Sequence, residues 1–135
     1  MSVLVSSAGR RVALVGTFRS VLAELGLPPR VVAADVSLLS AACAAADHSV
    51  RVPPCTDPDF VPTMVEICRQ EDVRLLVPTI DTELPAFASA RADFAAVGTL
   101  VAVSSPEVVR IASDKRLAHD HLVRSGLPTV EQAGV

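Results

Sequence analysis

Five short apolar runs, Val3 to Val5, Val31 to Ala34, Ser49 to Val52, Val73 to Val77 and Leu100 to Val103, punctuate this chain, and a turn-forming cluster and a helical pattern follow each of them. A strand buried on both faces of a parallel sheet reads as a continuous run of this kind. Strict alternation with helices predicts an α/β fold: a doubly wound, mainly parallel five-stranded sheet with helices on both faces and right-handed crossovers.

Between the runs the apolar spacing sets the helices. Leu14, Phe18, Leu22 and Leu25 predict an inward face after the first strand, stopped by Gly26 and Pro28-Pro29. Ser37 is expected to cap a short alanine-rich helix to about Ala46, and a helix from about Asp59 to Glu71 turns Met64, Ile67 and Cys68 inward, with Pro62 harmless in its first turn. One helix is expected from about Glu83 to Ala95. Ser105-Pro106-Glu107 supplies a cap, a first-turn proline and an acid at the positive dipole end, for a helix reaching about Ala112. Ser113 or Asp114 then caps a last helix, which Gly126 and Pro128 end, and the tail beyond is unpatterned.

Composition narrows the function. Half of the 135 residues are apolar but only 3% are aromatic, so the core is built from Val, Leu, Ile and Ala. A net charge of -3, with no basic stripe, argues against nucleic acid as a partner. Mean hydropathy is +0.46, yet charge or proline breaks every apolar stretch short of a membrane span, and Arg10 and Arg11 follow the first apolar run, where a signal peptide would have them precede it. A cytoplasmic protein without membrane association is the expectation. Cys43, Cys55 and Cys68 lack the spacing of a zinc site or disulfide framework. His119 and His121 point to nearly opposite helix faces and His48 stands alone, so no histidine is assigned chemistry and no metal ligand is named.

In an open parallel sheet, ligands sit outside the carboxyl ends of the strands, and three turns there are candidates. Ser6-Ser7-Ala8-Gly9-Arg10-Arg11 lets a ligand approach backbone at a helix start beside two guanidinium groups, so Gly9 and Arg10 are possible substrate contacts. Asp35 ends the second strand, where dinucleotide-binding folds place an acid on a ribose, but the first turn lacks G-x-G-x-x-G, which disfavours an NAD-dependent enzyme. In Pro78-Thr79-Ile80-Asp81-Thr82-Glu83, the residues Asp81, Thr82 and Glu83 either contact substrate or cap the following helix, with Glu83 in its first turn. Solvated or capping roles compete at each of these positions.

The segments VLVSSAGRR, VVAADVS, VPTIDTEL and SSPEVVRIASDKRLAHDHLVRSGLPT resemble the N-terminal part of ATP-grasp ligases, in particular the carbamoyl-phosphate-synthase-like group. The resemblance covers nearly the whole chain. It implies a Rossmann-like pre-ATP-grasp domain over residues 1–112 and, over 113–135, the first helical segment leading into an ATP-grasp domain. In that family the Asp-Lys pair before a helix and Gly-Leu-Pro marks the transition, and its lysine reaches the ATP phosphates. Carried over, Lys115 is the nucleotide contact; it is also the only lysine here, and a surface role is the competing reading.

The resemblance further implies ATP and Mg2+ as cofactors of a complete enzyme, small carboxylate and amine substrates, and an acylphosphate route. The metal ligands would lie in a downstream ATP-grasp domain or split subunit. A chain of this extent is expected to be inactive alone and to carry no catalytic residue of its own. It is also expected to self-associate through Leu117, Leu122 and Val123, which would face the absent domain. A stand-alone nucleotide- or metabolite-binding module is the alternative.

Overall fold

The computed structural model describes residues 1–130; the last five residues of the tail expected after Pro128 lie outside the described residues. Five parallel strands, β1 (Ser2–Ser6), β2 (Val31–Asp35), β3 (His48–Arg51), β4 (Val73–Val77) and β5 (Leu100–Val101), form one sheet in the order β3-β2-β1-β4-β5. The helices are α1 (Val12–Glu24), α2 (Ala41–Ala45), α3 (Phe60–Gln70), α4 (Leu84–Ser89), α5 (Arg91–Ala96), α6 (Pro106–Ser113) and α7 (Lys115–Arg124), with a 3₁₀ turn at Asp81–Glu83. The doubly wound α/β expectation holds.

The two-residue period of a strand divides β1 and β2 between two cores. Leu4, Val32 and Ala34 face α3, α4 and α5, where Phe60, Phe87 and Phe94 are fully enclosed. Ring centroids lie 5.4 Å apart for Phe60 and Phe87, and 5.5 Å for Phe87 and Phe94 in an edge-on contact. Val3, Val5, Val31 and Ala33 face α1 and α2, where small Ala42 and Cys43 let the short helix sit close.

Four local expectations are corrected. Ser37 does not cap α2: Asp35 already holds its N–H, and Ser40, in an extended conformation, accepts from Cys43 N instead. Leu25 is two-thirds exposed, because α1 ends at Glu24 and the chain turns at Gly26 (φ +68°), bonding Leu27 N to Leu22 O and packing Leu27 on the core in its place. The helix expected over 83–95 breaks at Ala90, whose carbonyl accepts from both Asp93 N and Phe94 N. β5 stops at Val101, because Val103 N bonds back to Val101 O.

The last two helix starts follow the sequence. Ser105 accepts from Val108 N at the head of α6, and Asp114 accepts from Arg116 N and Leu117 N at the head of α7. No helix among the described residues is long and apolar enough to cross a membrane.

Candidate functional site

Because β1 lies between β2 and β4, the winding direction reverses beside it, and the crevice of this sheet opens between the carboxyl ends of β1 and β4. Its floor is built around Glu83, which is fully buried. Ser6 Oγ and Ser7 Oγ each donate to Glu83 Oε2 at 2.8 Å, and Thr79 N donates to Oε1 at 2.7 Å, with Ile80 N at 3.4 Å. Thr79 Oγ1 in turn lies 2.9 Å from the Ser6 carbonyl and 2.8 Å from that of Ser7. These bonds tie the two central strands together at their functional ends. They leave no buried side-chain polar atom unpaired among the described residues.

Glu83 is therefore shielded from any ligand in this conformation, whereas its neighbours Asp81 and Thr82 are exposed on the rim. Neither of the two caps the following helix; it is Glu83 that reaches back to the turn amides. Sequence reasoning passed over Ser6, Ser7 and Thr79 as individual residues. Their signal was present as hydroxyls placed directly after apolar strands, with Ser7 adopting the left-handed region at φ +49°.

The first turn is held from the other side by Asp35. Its Oδ2 accepts from Gly9 N at 2.6 Å and its Oδ1 from Ser37 N at 3.1 Å. Gly9 sits at φ +47°, a backbone conformation that a glycine adopts without strain, and its carbonyl accepts from Ala42 N. Arg10 is exposed, while Arg11 reaches over the crevice, its Nη2 donating to the Thr79 carbonyl at 3.4 Å. A cavity of about 250 Å³ lies between Asp35, Ser7, Cys55 and Phe60.

Lys115 lies elsewhere on the same edge. A groove of about 670 Å³ runs outside the ends of β4 and β5, and Lys115, Asp81, Thr82, Ser104 and Val108 all line it. The structure thus brings Lys115 together with Asp81 and Thr82, and places Gly9, Arg10 and Asp35 around the first turn. A groove of this size admits a drug-sized ligand, with an ammonium, a carboxylate and a hydroxyl among its lining groups.

Cys55 lines the Asp35 cavity, its Sγ 3.5 Å from Thr82 Oγ1, whereas Cys43, Cys68 and the histidines line neither place. Cys43 and Cys68 are buried, and burial pushes the Cys68 thiol up to about 11, far from a reactive thiolate. His48 Nδ1 lies 2.9 Å from Glu71 at the opposite end of the sheet, and His119 Nδ1 lies 3.5 Å from Thr129 Oγ1. Among the described residues no group of three His, Cys, Asp or Glu converges on a possible metal position.

Comparison with known proteins agrees with this architecture. The biotin carboxylase domain of a single-chain bacterial carboxylase superposes with a TM-score of 0.66 at 15% identity, over 98% of this chain and 31% of that one. A single-chain, multi-domain long-chain acyl-CoA carboxylase gives 0.67 at 21% identity, over 100% and 14%. Pyruvate carboxylase from Rhizobium etli gives 0.64 at 17%, over 98% and 13%. The chain therefore spans less than a third of these proteins, and at such identities the likeness establishes the fold. No curated protein matches the sequence. The family model for the PylC-like N-terminal domain matches residues 3–102, most of the chain. This chain belongs to the PylC-like N-terminal domain family and has the Rossmann-like architecture of a pre-ATP-grasp domain.

Proposed function

We propose that this chain is the N-terminal, substrate- and nucleotide-contacting part of an ATP-dependent carboxylate–amine ligase, completed by an ATP-grasp domain in the same protein or in a partner subunit. One observation carries the reading: Lys115, the only lysine, lines the same groove as Asp81 and Thr82 at the functional edge of the sheet. A compact ammonium suits phosphate as a point charge.

In the complete enzyme a substrate carboxylate oxygen attacks the γ-phosphorus of ATP and releases ADP. The amine nitrogen then attacks the acylphosphate carbon, expelling phosphate and losing its proton. Lys115 neutralises phosphate charge during the first step. Asp81 and Thr82 orient the substrate from the groove wall, Gly9 and Arg10 contribute from the first turn, and Glu83 holds the turns in place from beneath. The resemblance places the magnesium ligands in the ATP-grasp domain, and the roles assigned here are those of this chain's own residues. The segment over residues 113–135, whose described part carries α7 (Lys115–Arg124), forms the passage into the ATP-grasp domain.

The geometry around Asp35 speaks against a nicotinamide enzyme. The first turn lacks G-x-G-x-x-G, and the cavity of about 250 Å³ beside Asp35 is small for a dinucleotide. ADP release tests the proposal. The pure 135-residue chain should turn over no ATP, and adding the ATP-grasp segment should give magnesium-dependent turnover that falls by about ten-fold or more in Lys115→Ala. Turnover by the chain alone, abolished by that substitution, would refute the division of labour.

A further inference from the structure

Asp35 is enclosed at 9% exposure, and the ion pairs seen among the described residues do not include it. A carboxylate offers about four acceptor positions. The Gly9 and Ser37 amides take two of them, which fixes the orientation of the carboxylate without neutralising its charge. An enclosed charge without a counter-ion is costly. The cavity that opens beside it has apolar walls from Val52, Phe60 and Ile80, with Ser7 and Cys55 as its other polar residues. Its volume of about 250 Å³ falls below the usual range for drug-sized ligands.

We infer that this cavity binds a small primary ammonium with a short apolar tail, as the cationic anchor of one of the ligase substrates. The substrate assignment rests on the proposed function; the ammonium site itself does not. Asp35 supplies the counter-charge, the walls take the methylene groups, and the held carboxylate needs no reorganisation to receive its ligand. A nitrogen kept as ammonium has no lone pair. Asp35 therefore anchors the substrate, and a different group of that molecule reacts. The cavity lies beside the first turn, and the groove that contains Lys115 starts at the turn after β4, so a bound substrate spans the crevice floor that Glu83 organises.

The test is an amide NMR titration of the chain with propylammonium chloride, with propan-1-ol and sodium acetate as uncharged and anionic controls. Saturable shifts at Gly9 and Ser37 from propylammonium alone are expected, with affinity about ten-fold weaker in Asp35→Asn. Should Asp35→Asn fail to fold, Cys55→Leu decides: it fills the cavity without removing the charge, and it should weaken binding to a similar degree. Equal shifts from propan-1-ol, no saturable shift at Gly9 and Ser37, or unchanged affinity in a folded variant would overturn the site. Loss of the amine response while ATP turnover in the completed enzyme still depends on Lys115 sinks this inference alone. The reverse outcome leaves an ammonium site and removes the ligase reading.

Discussion

The sheet body and the two helices that follow it are secured very differently. From β1 to β5 every strand contributes to one of two enclosed cores on the two faces of the sheet, and three phenylalanines pack against one another on one of those faces. In α6 only Val109 is buried, and α7 buries no residue at all. Val108, Val123 and Leu127 are at least half exposed there. A rigid frame thus presents the turn residues, while Lys115 rides on a lightly attached arm. The nucleotide contact proposed for Lys115 would place it at the low-stability end of the fold, where small free-energy changes reposition an element.

Substitutions in each region can break or sharpen this contrast. The largest effect is expected in the body. Phe87→Ala removes the ring in contact with both Phe60 and Phe94 and should lower unfolding free energy by about 3–5 kcal/mol in a urea melt. A loss under about 1 kcal/mol would mean that the aromatic cluster is not what secures the body. Next comes Glu83→Ala, which leaves Ser6, Ser7 and the Thr79 amide without their acceptor, at about 1–3 kcal/mol for each group that water cannot reach. Glu83→Gln should recover part of that loss, since it restores an acceptor at the same place.

Effects in the arm should be smaller and local. Asp114→Ala deletes the cap of α7 and should cost about 0.5–2 kcal/mol. Hydrogen exchange should quicken over Lys115–Arg124 and stay unchanged in β1, β2 and β4. Faster exchange throughout the sheet would show the two regions to be one cooperative unit. Smallest of all, Val123→Ser should alter stability by no more than about 0.5 kcal/mol. It should nonetheless reduce the self-association expected from the apolar side chains Leu117, Leu122 and Val123 of α7, read as a shift toward monomer in size-exclusion chromatography. A wild-type chain that is strictly monomeric at high concentration would remove that expectation.

The same contrast separates what was legible in the sequence from what was not. Strand positions were readable because burial on both faces imposes unbroken apolar runs, and the caps at Ser105 and Asp114 because a cap joins a side chain to an amide two or three residues away. Glu83 was visible only as a first-turn acid. Its burial depends on β1 lying beside β4, a partnership that places Ser6 77 positions away in sequence at 2.8 Å. The misplaced cap on α2 has the same origin, since Asp35 competes for the Ser37 amide and Ser40 takes over. Lys115 stood out as the only lysine and through the family resemblance, but nothing in its neighbourhood pointed to Asp81 and Thr82. The packing of α6 against α4 brings them to one groove.

Calorimetric titration of ATP into the proposed ligase, this chain joined to an ATP-grasp domain, wild type against Lys115→Ala, tests the assignment most directly. Affinity should fall about ten-fold or more, as loss of a charge-assisted phosphate contact requires, with the fold of the sheet unaltered. An unchanged affinity in a correctly folded variant would contradict the placement of the nucleotide at this groove.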